Sequence, residues 1–117
     1  MIIMDNAVRE KSFRFAVRIV KLCKFLRETK NEYIMSKQLL RCGTSIGANT
    51  AESQQAQSRP DFTAKLNIAL KEAVETDYWL RLLYETDYLT KRQFTSIIAD
   101  CDELEKLLVS IVKATKE

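Results

Sequence analysis

The chain has 117 residues, of which 46% are hydrophobic and 30% charged, with two glycines, one proline and no histidine. That length suits a single domain spanning residues 1 to 117 with a continuous core. So few helix breakers among so much Leu, Ala, Glu, Lys and Arg favour an all-α fold. Without histidine the chain cannot build the Glu-x-x-His pairs of carboxylate-bridged metal bundles, a His-containing zinc site, or a Ser-His-Asp or Cys-His nucleophile.

The formal net charge of +3 conceals an asymmetry: residues 1 to 42 hold ten Lys and Arg against four Asp and Glu, whereas residues 43 to 117 hold nine against twelve. An anionic partner is therefore expected on the first half. Met1-Ile-Ile-Met4 is too short an apolar run for a secretory signal, and Asp5 and Asn6 follow it. No stretch has the length of apolar sequence that spans a bilayer, so the expectation is a cytoplasmic protein with no membrane partner. Cys23, Cys42 and Cys101 have no C-x-x-C spacing and recur among apolar neighbours. They read as small, reduced core residues rather than disulfides or ligands.

The first helix is expected from about Val8 to Thr29. Phe13, Phe15, Ala16, Ile19, Val20, Leu22, Cys23 and Leu26 cover about half of its wheel, more than one core-facing stripe requires. Lys11, Arg14, Arg18 and Lys21 form a row on the opposite side, with Lys24 and Arg27 drifting off it and Phe25 among the charges. After the polar link at Lys30-Asn-Glu32, Ser36 is placed to cap a second helix running to about Ala56, with Met35, Leu39, Cys42 and Ile46 as its seam. Ser58 and Pro60 then mark the start of a third helix, since a proline in the first turn has no N–H to waste. Phe62, Leu66, Ala69, Ala73, Leu80 and Tyr84 form its main face, Leu70 and Val74 widen that face, and Ile68, Trp79 and Leu82 lie on the far side. Thr90-Lys-Arg-Gln93 is a capping box ahead of a fourth helix, whose seam is Phe94, Ile97, Ile98, Cys101, Leu104, Leu108, Ile111 and Val112. Four long helices with short links predict an antiparallel up-and-down four-helix bundle.

Both glycines of the chain fall inside the second helix, in the stretch CGTSIGANTAES. Gly43, Gly47 and Ala51 share one side at i, i+4 and i+8. Each interior glycine costs about 1 kcal/mol relative to alanine, and the compensating gain expected is close approach of another helix. A phosphate-cradling loop would need GxxxxGK[ST], whereas Gly47 is followed by Ala48 and Asn49. The other side carries Arg41, Ser45, Asn49 and Glu52, within reach of Glu72 and Glu75 on the third helix. One reading is a hydrogen-bonded network that fixes helix register. The other is a catalytic carboxylate pair, which would need a cleft. The structural reading is preferred, with no catalytic residue, cofactor or metal assigned.

Gln38 to Asn49, QLLRCGTSIGAN, with Ala51-Glu52, Ser58-Arg-Pro-Asp-Phe62, Lys65-Leu66, Ile68 to Glu72 and the run from Glu75 to Leu83, ETDYWLRLL, resembles the four-helix-bundle family that includes the 23S ribosomal-RNA intervening-sequence proteins. The likeness runs over nearly the whole chain. It implies an up-and-down bundle assembling into a ring-like homo-oligomer, a homopentamer. A related group resembles the accessory protein of diversity-generating retroelements, a basic pentamer that contacts nucleic acid and a reverse transcriptase. The family signature falls on Arg41, Ser45, Ile46, Asn49, Glu52, Phe62, Glu75, Trp79 and Leu80 as scaffold positions.

The function expected from residues and resemblance together is a non-enzymatic oligomeric scaffold that contacts RNA or DNA through Lys11, Arg14, Arg18, Lys21 and Lys24, although +3 is a modest charge for a dedicated RNA binder. A protein-interaction adaptor anchored on Ile68, Trp79 or Tyr88 is the alternative. An enzyme using Glu52 or Glu75 is the weakest reading.

Overall fold

A computed structural model describes residues 6 to 116, with Asn6 described by its backbone alone; the N-terminal run Met1 to Met4 lies outside the described residues. Four helices follow one another: α1 (Asn6–Glu28), α2 (Met35–Ser53), α3 (Arg59–Glu85) and α4 (Lys91–Lys116). Each packs against the next in sequence, and α4 closes back on α1 through a thinner contact, giving an up-and-down bundle 46 Å long and 20 by 18 Å across.

The expected seams meet in one core. Phe15, Ile19 and Leu26 of α1, Leu39 and Ile46 of α2, Leu66, Leu80 and Leu83 of α3, and Leu104 and Leu108 of α4 are fully buried. All three cysteines are buried and free. Burial pushes the Cys23 thiol up to about 12 and raises those of Cys42 and Cys101 as well, so none is a ready nucleophile.

The helix ends show how a chain with two glycines makes four helices. Asn31 (φ 53°) and Asp87 (φ 68°) take the left-handed conformation that ends α1 and α3. Asn and Asp visit that region at lower cost than other residues bearing a Cβ. After each, a backbone N–H reaches back into the last turn, Glu32 to the Leu26 carbonyl and Tyr88 to the Leu83 carbonyl, both at 2.9 Å. Both glycines are thereby left for the interior of α2.

The Ser58 hydroxyl accepts from the Asp61 N–H with Pro60 in the first turn, and Thr90 and Gln93 complete their reciprocal box at 2.8 and 3.1 Å. Ser36 is a correction. It lies inside α2, where its hydroxyl donates to the Glu32 carbonyl. The cap is Glu32, whose carboxylate accepts from the backbone N–H groups of Ile34, Met35 and Ser36 at 3.1, 2.9 and 2.7 Å. An anion at a helix N-terminus satisfies orphan donors and complements the dipole together. Helix α2 also ends earlier than expected, at Ser53, with a turn carrying the chain to Ala56.

Candidate functional site

The glycine side of α2 rests on α1 of the same chain. A Cβ on Gly43 would meet the Cγ1 and Cγ2 atoms of Ile19 at 2.8 Å, and one on Gly47 would meet the Ser12 backbone carbonyl oxygen at 3.2 Å. Close approach thus occurs within one subunit. Ala51, one turn further, is exposed and lines an open groove of about 510 Å³ with Arg9, Glu10, Phe13 and Gly47.

From this groove an apolar stripe runs along the outside of α1. Phe13 is 69% exposed and Val17 and Val20 about 40%, and their 4, 3 spacing is that of a helix seam awaiting a partner helix. A second uncovered group, Ile68, Val74 and Tyr78, lies on α3. Of the apolar residues expected beyond the core seams, Phe13 and Val20 of α1 and Ile68 of α3 are surface in one chain, whereas Trp79 and Tyr88, expected as exposed anchors, are half-buried because they pack against the core.

The basic row divides once α4 is in place. Lys11 pairs with Glu103 at 2.8 Å, Arg18 with Asp100 at 2.5 Å and with the Ser96 hydroxyl at 2.8 Å, and Arg14 with Glu10 at 2.9 Å. These three cations are matched by acids of their own chain, two of them across the thin α1–α4 contact. Lys21 and Lys24 are exposed and make no ion pair among the described residues. Arg27, Lys30 and Lys37 extend that unpaired set around the α1–α2 end. The thiol of Cys23 donates to the Ser36 carbonyl at 3.4 Å, which sets the start of α2 beside this part of α1. Sequence spacing identified the row but not its neighbour, so the free cations lie further along the helix than its first half suggested.

The polar network of α2 also contracts. Arg41 donates to Glu72 at 3.2 Å and to Glu75, which additionally accepts the Trp79 indole N–H at 3.0 Å. The indole hydrogen bond and then the guanidinium hold the Glu75 carboxyl below its usual range. Ser45 and Asn49 turn instead to their own helix, donating to the carbonyls of Arg41 and Ser45, and Glu52 pairs with Lys65 at 3.0 Å. In place of the expected six-residue network, the cluster that forms is Arg41, Glu72, Glu75 and Trp79, joining α2 to α3 within the chain. With the Arg41 side chain half exposed, Arg41→Ala is expected to cost less than about 1 kcal/mol of stability. Urea unfolding measures this, and a loss above about 2 kcal/mol would assign the cluster a larger part in holding the fold.

One group went unnoticed in the sequence. Asp77 of α3 and Cys101 and Glu105 of α4 place their ligand-type atoms within 4.8 Å of one another. Asp77 also pairs with Arg81. The i, i+4 spacings of Asp77 with Arg81 and Cys101 with Glu105 were legible, but the meeting of the two pairs depends on the α3–α4 register.

Among the described residues, no helix is long and apolar enough to cross a membrane. No protein of curated function matches the chain. A crystal structure from Bacteroides thetaiotaomicron VPI-5482, described as a protein of unknown function from the S23 ribosomal protein family, is 61% identical, covers 92% of this chain and 96% of its own, and superposes with a TM-score of 0.91. Residues 4–110 match the family described as 23S rRNA-intervening sequence protein. The helical bundle and the sequence agree, and the chain belongs to the 23S rRNA-intervening sequence protein family.

Proposed function

We propose that the chain is a non-enzymatic cytoplasmic scaffold that assembles into a homopentameric ring and holds RNA or DNA on the cations of α1 and the α1–α2 end. The observation that carries this reading is that an uncovered apolar stripe, Phe13, Val17 and Val20, and the unpaired cations Lys21 and Lys24 lie on one helix. The stripe offers a second copy a seam to cover. The cations, repeated by each copy, multiply weak phosphate contacts into an avid surface. The family description points toward ribosomal RNA as the setting. Glu52 pairs with Lys65, and Glu75 with Arg41 and Trp79, which suits a structural part for both carboxylates.

Titrating labelled RNA and DNA at low and moderate salt tests the nucleic-acid role. Binding should weaken as salt rises, and Lys21→Glu with Lys24→Glu should reduce both the affinity and the salt slope. Lys11→Glu should do less to binding than either, because Lys11 is already matched by Glu103. Absence of binding at low salt overturns the reading. The adaptor alternative rests on the exposed Ile68, Val74 and Tyr78 of α3, and would be favoured if changes on that face abolished capture of a defined protein while the ring persisted.

A further inference from the structure

At the α3–α4 seam the chain gathers three carboxyls around one guanidinium. Asp77 accepts from Arg81, and its carboxyl oxygen lies within 4.8 Å of the Glu105 carboxyl across the seam, with Asp102 on the same side of α4. A hydrogen bond between two carboxyl groups requires a proton on one of them, so this arrangement is complete only when protons are bound. Neighbouring elements add little compensation. Lys106 faces Asp102 from the same helix, the buried Cys42 of α2 faces Cys101, and the Cys101 thiol donates to the Ala73 carbonyl at 3.4 Å. On α1, Lys11 and Arg18 address Glu103 and Asp100 on the other flank of α4. An open groove lined by Ala99, Asp102, Glu103, Lys106 and Leu107 gives water access to the outer edge of the cluster.

We propose that the Asp77–Asp102–Glu105 cluster is a proton-operated lock on the α3–α4 seam, which tightens as pH falls from alkaline toward mildly acidic values. The proton comes from bulk water and resides on Glu105, which then donates to the Asp77 carboxylate while Arg81 supports that charge from the other side. Burial, then the hydrogen bond to Asp77, then the charges of Asp77 and Asp102 push the Glu105 carboxyl up to about 7. Burial and Asp77 raise Asp102 in the same way. Asp77 moves oppositely: burial works against its charge, but Arg81 and the two carboxyl donors hold it below its ordinary value.

A carboxyl raised in the folded state binds a proton there that the unfolded chain has already released. Its contribution to stability is therefore full at the acidic end and falls as pH rises from the ordinary glutamate range through about 7. The lowered carboxyls, Asp77 and Glu75, act only below the ordinary carboxylate range and leave this window alone. With no histidine in the chain, the window holds no imidazole to obscure the effect.

The wild-type protein should melt about 3 °C or more higher at pH 5.5 than at pH 7.5. Glu105→Gln, which keeps a donor toward Asp77 without a proton to lose, should flatten that difference and hold the acidic melting temperature across the range. A purely structural role for Glu105 would instead lower the melting temperature equally at both pH values. Carbon-13 NMR of the wild-type side-chain carboxyls gives a reading that does not depend on the variant folding: a Glu105 midpoint near 7 is expected. A midpoint in the ordinary glutamate range, or a melting temperature that rises from pH 5.5 to 7.5, overturns the proposal.

Discussion

Gly43→Ala is expected to destabilise the protein by about 1 to 2 kcal/mol, against the roughly 1 kcal/mol gain that alanine brings to an open helix interior. The opposition comes from Ile19, which is fully buried and whose branched side chain would sit 2.8 Å from the new Cβ. A β-branched side chain on a helix has little rotamer freedom with which to retreat. The test lies in the sign. Ile19→Ala alone should cost about 2 to 5 kcal/mol by opening a cavity, but in that background Gly43→Ala should become stabilising, because the atoms it meets are gone. Urea midpoints of the four proteins in the cycle measure the coupling. If Gly43→Ala stabilises the wild-type chain, close helix approach is not the reason for the glycine. Gly47 differs, since its nearest neighbour is the backbone carbonyl of Ser12 at 3.2 Å. Trimming the side chain there to alanine should leave the cost of Gly47→Ala unchanged.

Glu32→Ala should be the costliest single change in the connections, at about 2 to 4 kcal/mol. The carboxylate is almost entirely buried and holds three consecutive N–H groups at the start of α2. Removing it orphans donors that packing shields from water. Ser36→Ala removes only the hydroxyl bond to the Glu32 carbonyl and should cost about 1 kcal/mol. Thermal melts of the two variants separate the two accounts of this helix start. Equal losses would mean that the serine shares the capping load.

The legible parts of the fold were those written in local rules. The four seams follow helical periodicity, Ser58 with Pro60 and Thr90 with Gln93 are local capping chemistry, and all of them appear in the structure. Ser36 was misread because Glu32, four residues earlier, offers a stronger acceptor than a hydroxyl. That choice depends on how the Lys30-Asn-Glu32 link folds back over the end of α1. Asn31 and Asp87 likewise do at the helix ends what glycine does elsewhere, and composition alone conceals it.

The candidate surfaces were less legible because a helical wheel shows which residues share a side and not which helix arrives beside them. Lys11 and Arg18 are cations on the wheel of α1, yet Glu103 and Asp100 of α4 meet them. Arg41 pairs with Glu72 and Glu75 of the next helix in sequence. Ser45 and Asn49 had a nearer option in the carbonyls of their own helix, a competition common to short polar side chains in helix interiors. The Asp77–Glu105 cluster needs two helices in register before it exists at all.

Everything functional proposed for the chain depends on copies covering the Phe13, Val17 and Val20 stripe of one another. Size-exclusion chromatography with light scattering measures that directly: the expected mass is five times the chain mass of 13.6 kDa, falling to the single-chain mass for Val17→Asp with helical content retained. A wild-type protein that runs at 13.6 kDa would contradict the account.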